Sequence, residues 1–115
     1  MPIPPPPVPQ RLREMLKDYP DLIERLQADL TYVANAKRRG TPLFERAVWM
    51  LEDALGGFIS EAREELQAAE ASADEAAMEH ARRKEQLLLT CSSKYRWIAD
   101  EEFNRYFEHY GRAFE

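Results

Sequence analysis

The chain is short of cysteine, histidine and glycine. Its 115 residues include one cysteine, two histidines and four glycines. Cys91 alone cannot close an intrachain disulfide or supply a multi-cysteine zinc site, which suits a reducing cytoplasm. His80 and His109 do not form the His-x-x-x-His pair of helical zinc proteases. Gly40, Gly56, Gly57 and Gly111 belong to no phosphate-cradling loop and to no Gly-x-Ser-x-Gly elbow. No apolar run approaches the ~20 residues that span a bilayer. The first residues lack the basic-then-apolar order of a signal peptide. These absences predict a cytoplasmic protein that is not an enzyme, with no cofactor, no metal and no membrane contact.

Positive charge is also in short supply. Sixteen basic against 21 acidic residues leave a net charge of -5. A nucleic-acid binder needs a basic face to displace counterions from phosphates. The runs Lys37-Arg38-Arg39 and Arg82-Arg83-Lys84 are too short to provide one, so direct nucleic-acid binding is not expected.

What the chain does have is helical periodicity. Six of its eight prolines fall in residues 1–9. Proline fixes φ and removes an amide donor, so this stretch reads as an extended polyproline arm, followed by one helical domain over 10–115. Pro6-x-x-Pro9-x-Arg11 formally matches one orientation of an SH3 ligand, but packing of the arm on the domain is the simpler expectation. Leu12, Met15, Leu16 and Tyr19 predict a short first helix. A second starts at Pro20, with Leu22, Ile23, Leu26, Leu30 and Val33 on its apolar face. Lys37–Arg39 and Gly40 are expected to end it, and Thr41-Pro42 to open the next helix.

From Phe44 to Cys91 the apolar positions share one arc of about 100°. Two readings fit. One is a single helix of roughly 70 Å at 1.5 Å per residue. The other, which we favour, is an antiparallel hairpin turning near Ala71-Ser72-Ala73-Asp74, where Ser72-x-x-Glu75 matches a capping box. Gly56-Gly57 in mid-helix predicts close packing of a neighbouring helix or, failing that, a hinge. A break near Ser92-Ser93 and a last helix capped by Asp100 complete an all-α bundle.

Two features suggest function. Residues 60–79 hold seven carboxylates against Arg63 alone. Glu61, Glu64, Glu65, Glu75 and Glu79 would share one face of a continuous helix and could dock a basic or nucleic-acid-handling protein. The C-terminal stretch is aromatic: Trp97, Phe103, Tyr106, Phe107 and Tyr110, with Tyr95 and Phe114 at its ends. Such a stretch serves either as core or as an interface anchor. Trp49 falls off the main apolar stripe, so it meets a second helix or faces a partner. The leading expectation is an acidic protein-interaction module acting as adaptor, assembly factor or inhibitor. Self-association into a homodimer is a further expectation. The alternative is a phage or mobile-element inhibitor of host nucleic-acid machinery, of the anti-CRISPR or DNA-mimic type. A small helical metal protein using His80 or His109 is the third reading.

Overall fold

The structure, a computed structural model, describes residues 3–36 and 41–110. The predicted helix-ending run Lys37–Arg39 with Gly40, and Phe114, lie outside those residues. The described chain is helical and without strands. It comprises α1 (Gln10–Met15), α2 (Pro20–Asn35), α3 (Leu43–Ala71), α4 (Glu75–Cys91), a single 3₁₀ turn (Lys94–Arg96) and α5 (Glu101–Tyr110).

The α3–α4 pair is the predicted hairpin, and its turn has a different chemistry from the one expected. Ser72 does not cap α4. Its hydroxyl turns back to donate to the carbonyls of Ala68 and Ala69, at 3.0 and 3.3 Å. Asp74 is the N-cap and accepts from the Ala77 amide at 3.1 Å. Between them Ala73 sits at φ 53, in the left-handed region. The Asp74 amide donates to Ala69 O and the Ala73 amide to Glu70 O, at 3.0 and 3.1 Å. This is the Schellman pattern, which satisfies the last carbonyls of α3 and usually places glycine where Ala73 stands. The turn is therefore formed without the Gly or Pro that would have marked it in the sequence.

Thr41 is not a cap either. α3 starts at Leu43 after Pro42, with no side-chain cap bond. A basic group at the end of α2 comes from the next helix. Arg46 is buried, and its Nη1 donates to Ala36 O at 2.6 Å and to Val33 O at 3.2 Å. A cation at a helix C-terminus meets both the unpaired carbonyls and the negative end of the dipole.

The core lies at one end of the hairpin. Leu12 and Leu16 of α1, Leu22, Leu26 and Leu30 of α2, and Leu51, Leu55 and Phe58 of α3 meet Leu88 and Cys91 of α4. Trp97 and Phe103 close the same cluster. Beyond Ala62 the hairpin pairs chiefly with itself. Its fully buried positions there are Ala69 and Ala81, with Leu66, Ala77 and Met78 half-buried. Alanine seams bring two helices close but remove little apolar area from water. Ion pairs Lys84–Glu65 (3.1 Å) and Arg63–Glu85 (3.7 Å) line this outer section.

Gly56 and Gly57 are exposed, and a Cβ at either would meet nothing within 4 Å. The expected close helix packing over them is absent.

Residues 3–9 contain no helix or strand, and they pack on the bundle. Pro6, Val8 and Pro9 are buried. Gln27 donates to Pro6 O at 2.9 Å, and the Tyr106 hydroxyl to Pro4 O at 2.6 Å. With Pro6 and Pro9 buried, the SH3-type motif is not presented for docking.

Candidate functional site

The aromatic C-terminal stretch is mostly core. Trp97 and Phe103 are fully buried and Tyr106 nearly so; Phe107 and Tyr110 are half-buried. The Trp97 indole Nε1 donates to Cys91 O at 2.8 Å, which ties the turn after α4 back to the helix end. Phe103, Phe107 and Phe44 pack with centroids 4.9 to 5.8 Å apart, and Trp97 meets Phe103 edge-on at 6.3 Å. Tyr106 packs with Ala34 and Leu43, so α5 covers the α2–α3 junction. Burial, with Tyr110 nearby, pushes the Tyr106 hydroxyl up to about 12. These rings spend their apolar surface inside the molecule, because the short helix has no other use for a face this greasy.

The acidic residues are divided by the hairpin. Glu61, Glu64 and Glu65 stand on α3, while Glu75 and Glu79 stand on α4. The single face they would share requires a continuous helix. Three of them also hold cations. Arg25 binds Glu61 with two bonds, at 2.7 and 2.9 Å, while its guanidinium lies 4.5 Å from the Phe58 ring centroid. That hydrogen-bonded guanidinium holds the Glu61 carboxyl below the usual range. Lys84 pairs with Glu65, and Arg83 with Glu79 at 2.6 Å. Glu64 and Glu75 are exposed and stand outside these ion pairs.

The residues of the metal reading are also placed. His80 lies against Tyr19 and His109 against Tyr110, with ring centroids 6.2 and 4.4 Å apart. Among the described residues no three of His, Cys, Asp and Glu converge as a metal-sized group. Among the same residues no helix is long and apolar enough to cross a membrane. Cys91 is fully buried, and desolvation pushes its thiol up to about 11. At neutral pH it is a small apolar side chain rather than a nucleophile.

A surface groove lies elsewhere, between the C-terminal half of α2 and the N-terminal half of α3. It has a volume of about 520 Å³ and is lined by Tyr32, Val33, Trp49, Met50, Asp29 and Asp53, with Arg46 at the α2 end. Tyr32 is 75% exposed and Trp49 56% exposed. Tyr95, in the 3₁₀ turn, is also exposed, but it stands apart from this groove; here two exposed rings, from consecutive helices, line one concavity open to water. The guanidinium of Arg46 is committed to the α2 carbonyls, although its buried Nε has no partner. Asp29 and Asp53 are exposed, and neither joins an ion pair among the described residues.

The sequence offered half of this groove. Trp49 is visibly out of phase with the α3 stripe. Tyr32 is out of phase with α2 in the same way, and two off-phase aromatics in neighbouring helices are the signal that would have located the site. Comparison with protein-family models, curated proteins and solved structures finds no match for this chain.

Proposed function

We propose that this chain is a non-enzymatic, cytoplasmic protein-interaction module that docks a protein partner in the α2–α3 groove. The carrying observation is the joint exposure of Tyr32 and Trp49 in one concavity. Aromatic side chains bury much area at little entropic cost and dominate interface energetics. The burial of Trp97, Phe103 and Tyr106 supports the same choice, because it removes these three rings as anchors. The test is affinity capture from lysate of the producing cell, comparing wild type with Trp49→Ala/Tyr32→Ala and identifying captured proteins by mass spectrometry. A protein held by the wild type and lost from the variant is expected. Identical captures from both would overturn the groove as the docking surface.

The inhibitor of nucleic-acid machinery is kept as a second reading on one observation. The hairpin tip presents Glu70, Asp74 and Glu75, with Glu64 two turns below on α3, all exposed. A basic channel would meet those carboxylates first. Glu64→Lys/Glu75→Lys should then abolish capture of a basic partner, while Trp49→Ala should leave it intact.

A further inference from the structure

We infer that the groove recognises its protein partner through a lysine or arginine side chain, seated on Trp49 and Tyr32 between Asp29 and Asp53. The inference rests on the groove reading and adds the chemistry of what enters.

Three observations converge. The groove walls are two exposed aromatic rings. The face of an indole or phenol attracts a cation by its quadrupole, and tryptophan does so best. The two carboxylates, Asp29 from α2 and Asp53 from α3, approach from both walls. Among the described residues the lining holds one cation, Arg46, which is buried. Arg46 turns its Nη1 to Ala36 O and Val33 O, where it offsets the negative end of α2. Among the described residues, what an incoming group meets first is therefore two exposed carboxylates and two π faces, with Arg46 buried behind them. An acidic side chain would be repelled there, and a purely aliphatic one would leave both carboxylates without a counter-charge. A long basic side chain uses every feature: its methylenes cover the rings, and its charged head reaches the carboxylates.

The chain itself shows that such a seat is compatible with its own chemistry. Arg25 lies over Phe58 while bonded to Glu61, which is the same triad of ring, cation and carboxylate made within the molecule.

The experiment uses the full chain and a dye-labelled, acetylated hexalysine peptide, read by fluorescence anisotropy at low salt. Hexaglutamate and hexaglutamine peptides serve as comparators. Wild type is expected to bind hexalysine over both. Asp29→Asn/Asp53→Asn should weaken that binding by about tenfold. Glu64→Gln/Glu75→Gln makes the same change in net charge on the outer hairpin and should alter it by less than about twofold. Trp49→Ala should weaken it, and Trp49→Phe should fall between Ala and wild type, since phenylalanine retains a weaker π face. Both tryptophan variants replace an exposed residue, and unchanged helical circular dichroism will show that the fold is retained.

Absence of hexalysine binding overturns the inference. So does an equal loss from the two carboxylate pairs, which would reduce it to attraction by net charge. The two readings fail separately. If lysate capture still depends on Trp49 and Tyr32 while hexalysine does not bind, the groove stands and its cationic occupant falls. If neither depends on Trp49, both fall.

Discussion

Replacing Asp100 by asparagine should destabilise this protein far more than the same change at an ordinary helix cap. The carboxylate is 3% exposed. Its Oδ2 accepts from the Phe103 amide at 3.0 Å, which caps α5. Its Oδ1 accepts from the Arg11 amide at 2.9 Å, in the first turn of α1. One side chain thus holds the N-termini of two helices that are 89 positions apart in sequence. At a single cap Asp and Asn are equivalent, because one oxygen is enough. Here both oxygens are used. Asparagine can satisfy one amide, but it must then turn an NH₂ toward the other, leaving two donors face to face. A hydrogen bond to a charged group contributes about 1.5–3 kcal/mol. Asp100→Asn should therefore cost about 2 kcal/mol and Asp100→Ala about 3–4 kcal/mol, out of a total of roughly 5–15 kcal/mol for a domain.

Urea denaturation followed by circular dichroism measures this directly. The midpoint should fall at unchanged slope, and the melting temperature should drop by about 8 °C for the asparagine variant. The pH dependence provides a second readout. Burial alone would raise the Asp100 carboxyl, but the amides of Arg11, Phe103 and Gln10, with the Arg11 charge, outweigh it and hold the group below its usual value. The stabilisation is accordingly complete above the unfolded value near 3.9 and is lost as pH falls through the lower folded value. A protonated carboxyl resembles the amide, so wild type and Asp100→Asn should converge only once the pH has fallen below that lower folded value. A cost under about 0.5 kcal/mol, or a difference that persists in acid, would show that one of the two caps is not made.

The other predictions concern backbone and arm. Ala73→Gly should stabilise by about 0.5–1 kcal/mol, because it relieves a left-handed φ at a position where the motif favours glycine; a loss in the same denaturation assay would refute the turn geometry. Gly56→Ala and Gly57→Ala should each stabilise by about 1 kcal/mol, since both positions are helical and open to solvent; destabilisation would reveal a covering partner or a required bend. Tyr106→Phe should cost about 1 kcal/mol and hasten proteolysis within residues 3–9, whose Pro4 carbonyl it would leave without its donor. In wild type the raised Tyr106 value places a loss of stability between the unfolded value near 10 and the folded value of about 12, and Tyr106→Phe should remove that step.

Much of the helical order was legible because it is local. Pro20 at the first turn of α2, the apolar spacing of Leu22, Leu26 and Leu30, and the capping aspartate before Glu101-Glu102 are all short-range signals. The hairpin was less legible. The apolar phase runs across the turn by coincidence of spacing, and the turn takes an alanine where glycine is usual. The second bond of Asp100, the reach of Arg46 back to α2 and the burial of Trp97 were not legible at all, since each depends on a partner brought close only by the fold. The same holds for the groove: periodicity says that Trp49 leaves its own stripe, but only the packing of α2 on α3 shows that Tyr32 lines the concavity with it. The acidic stretch shows the converse. Its carboxylates read as one face in a linear sequence, and the hairpin assigns them to two helices with their own cations.

The alanine seam of the outer hairpin has a consequence for how this chain can vary. Nothing beyond Ala62 on α3 contributes a large side chain to the common core, and the outer arms answer mainly to each other. Removing or adding about two turns from both arms together would keep the seam in phase and leave the bundle below unaltered. An unmatched change in one arm would slide the seam against its partner and break the Lys84–Glu65 and Arg63–Glu85 pairings. The outer hairpin is thus the section of the fold whose length bears least on the common core. Natural variants of this fold should differ there by paired insertions and deletions of about two turns.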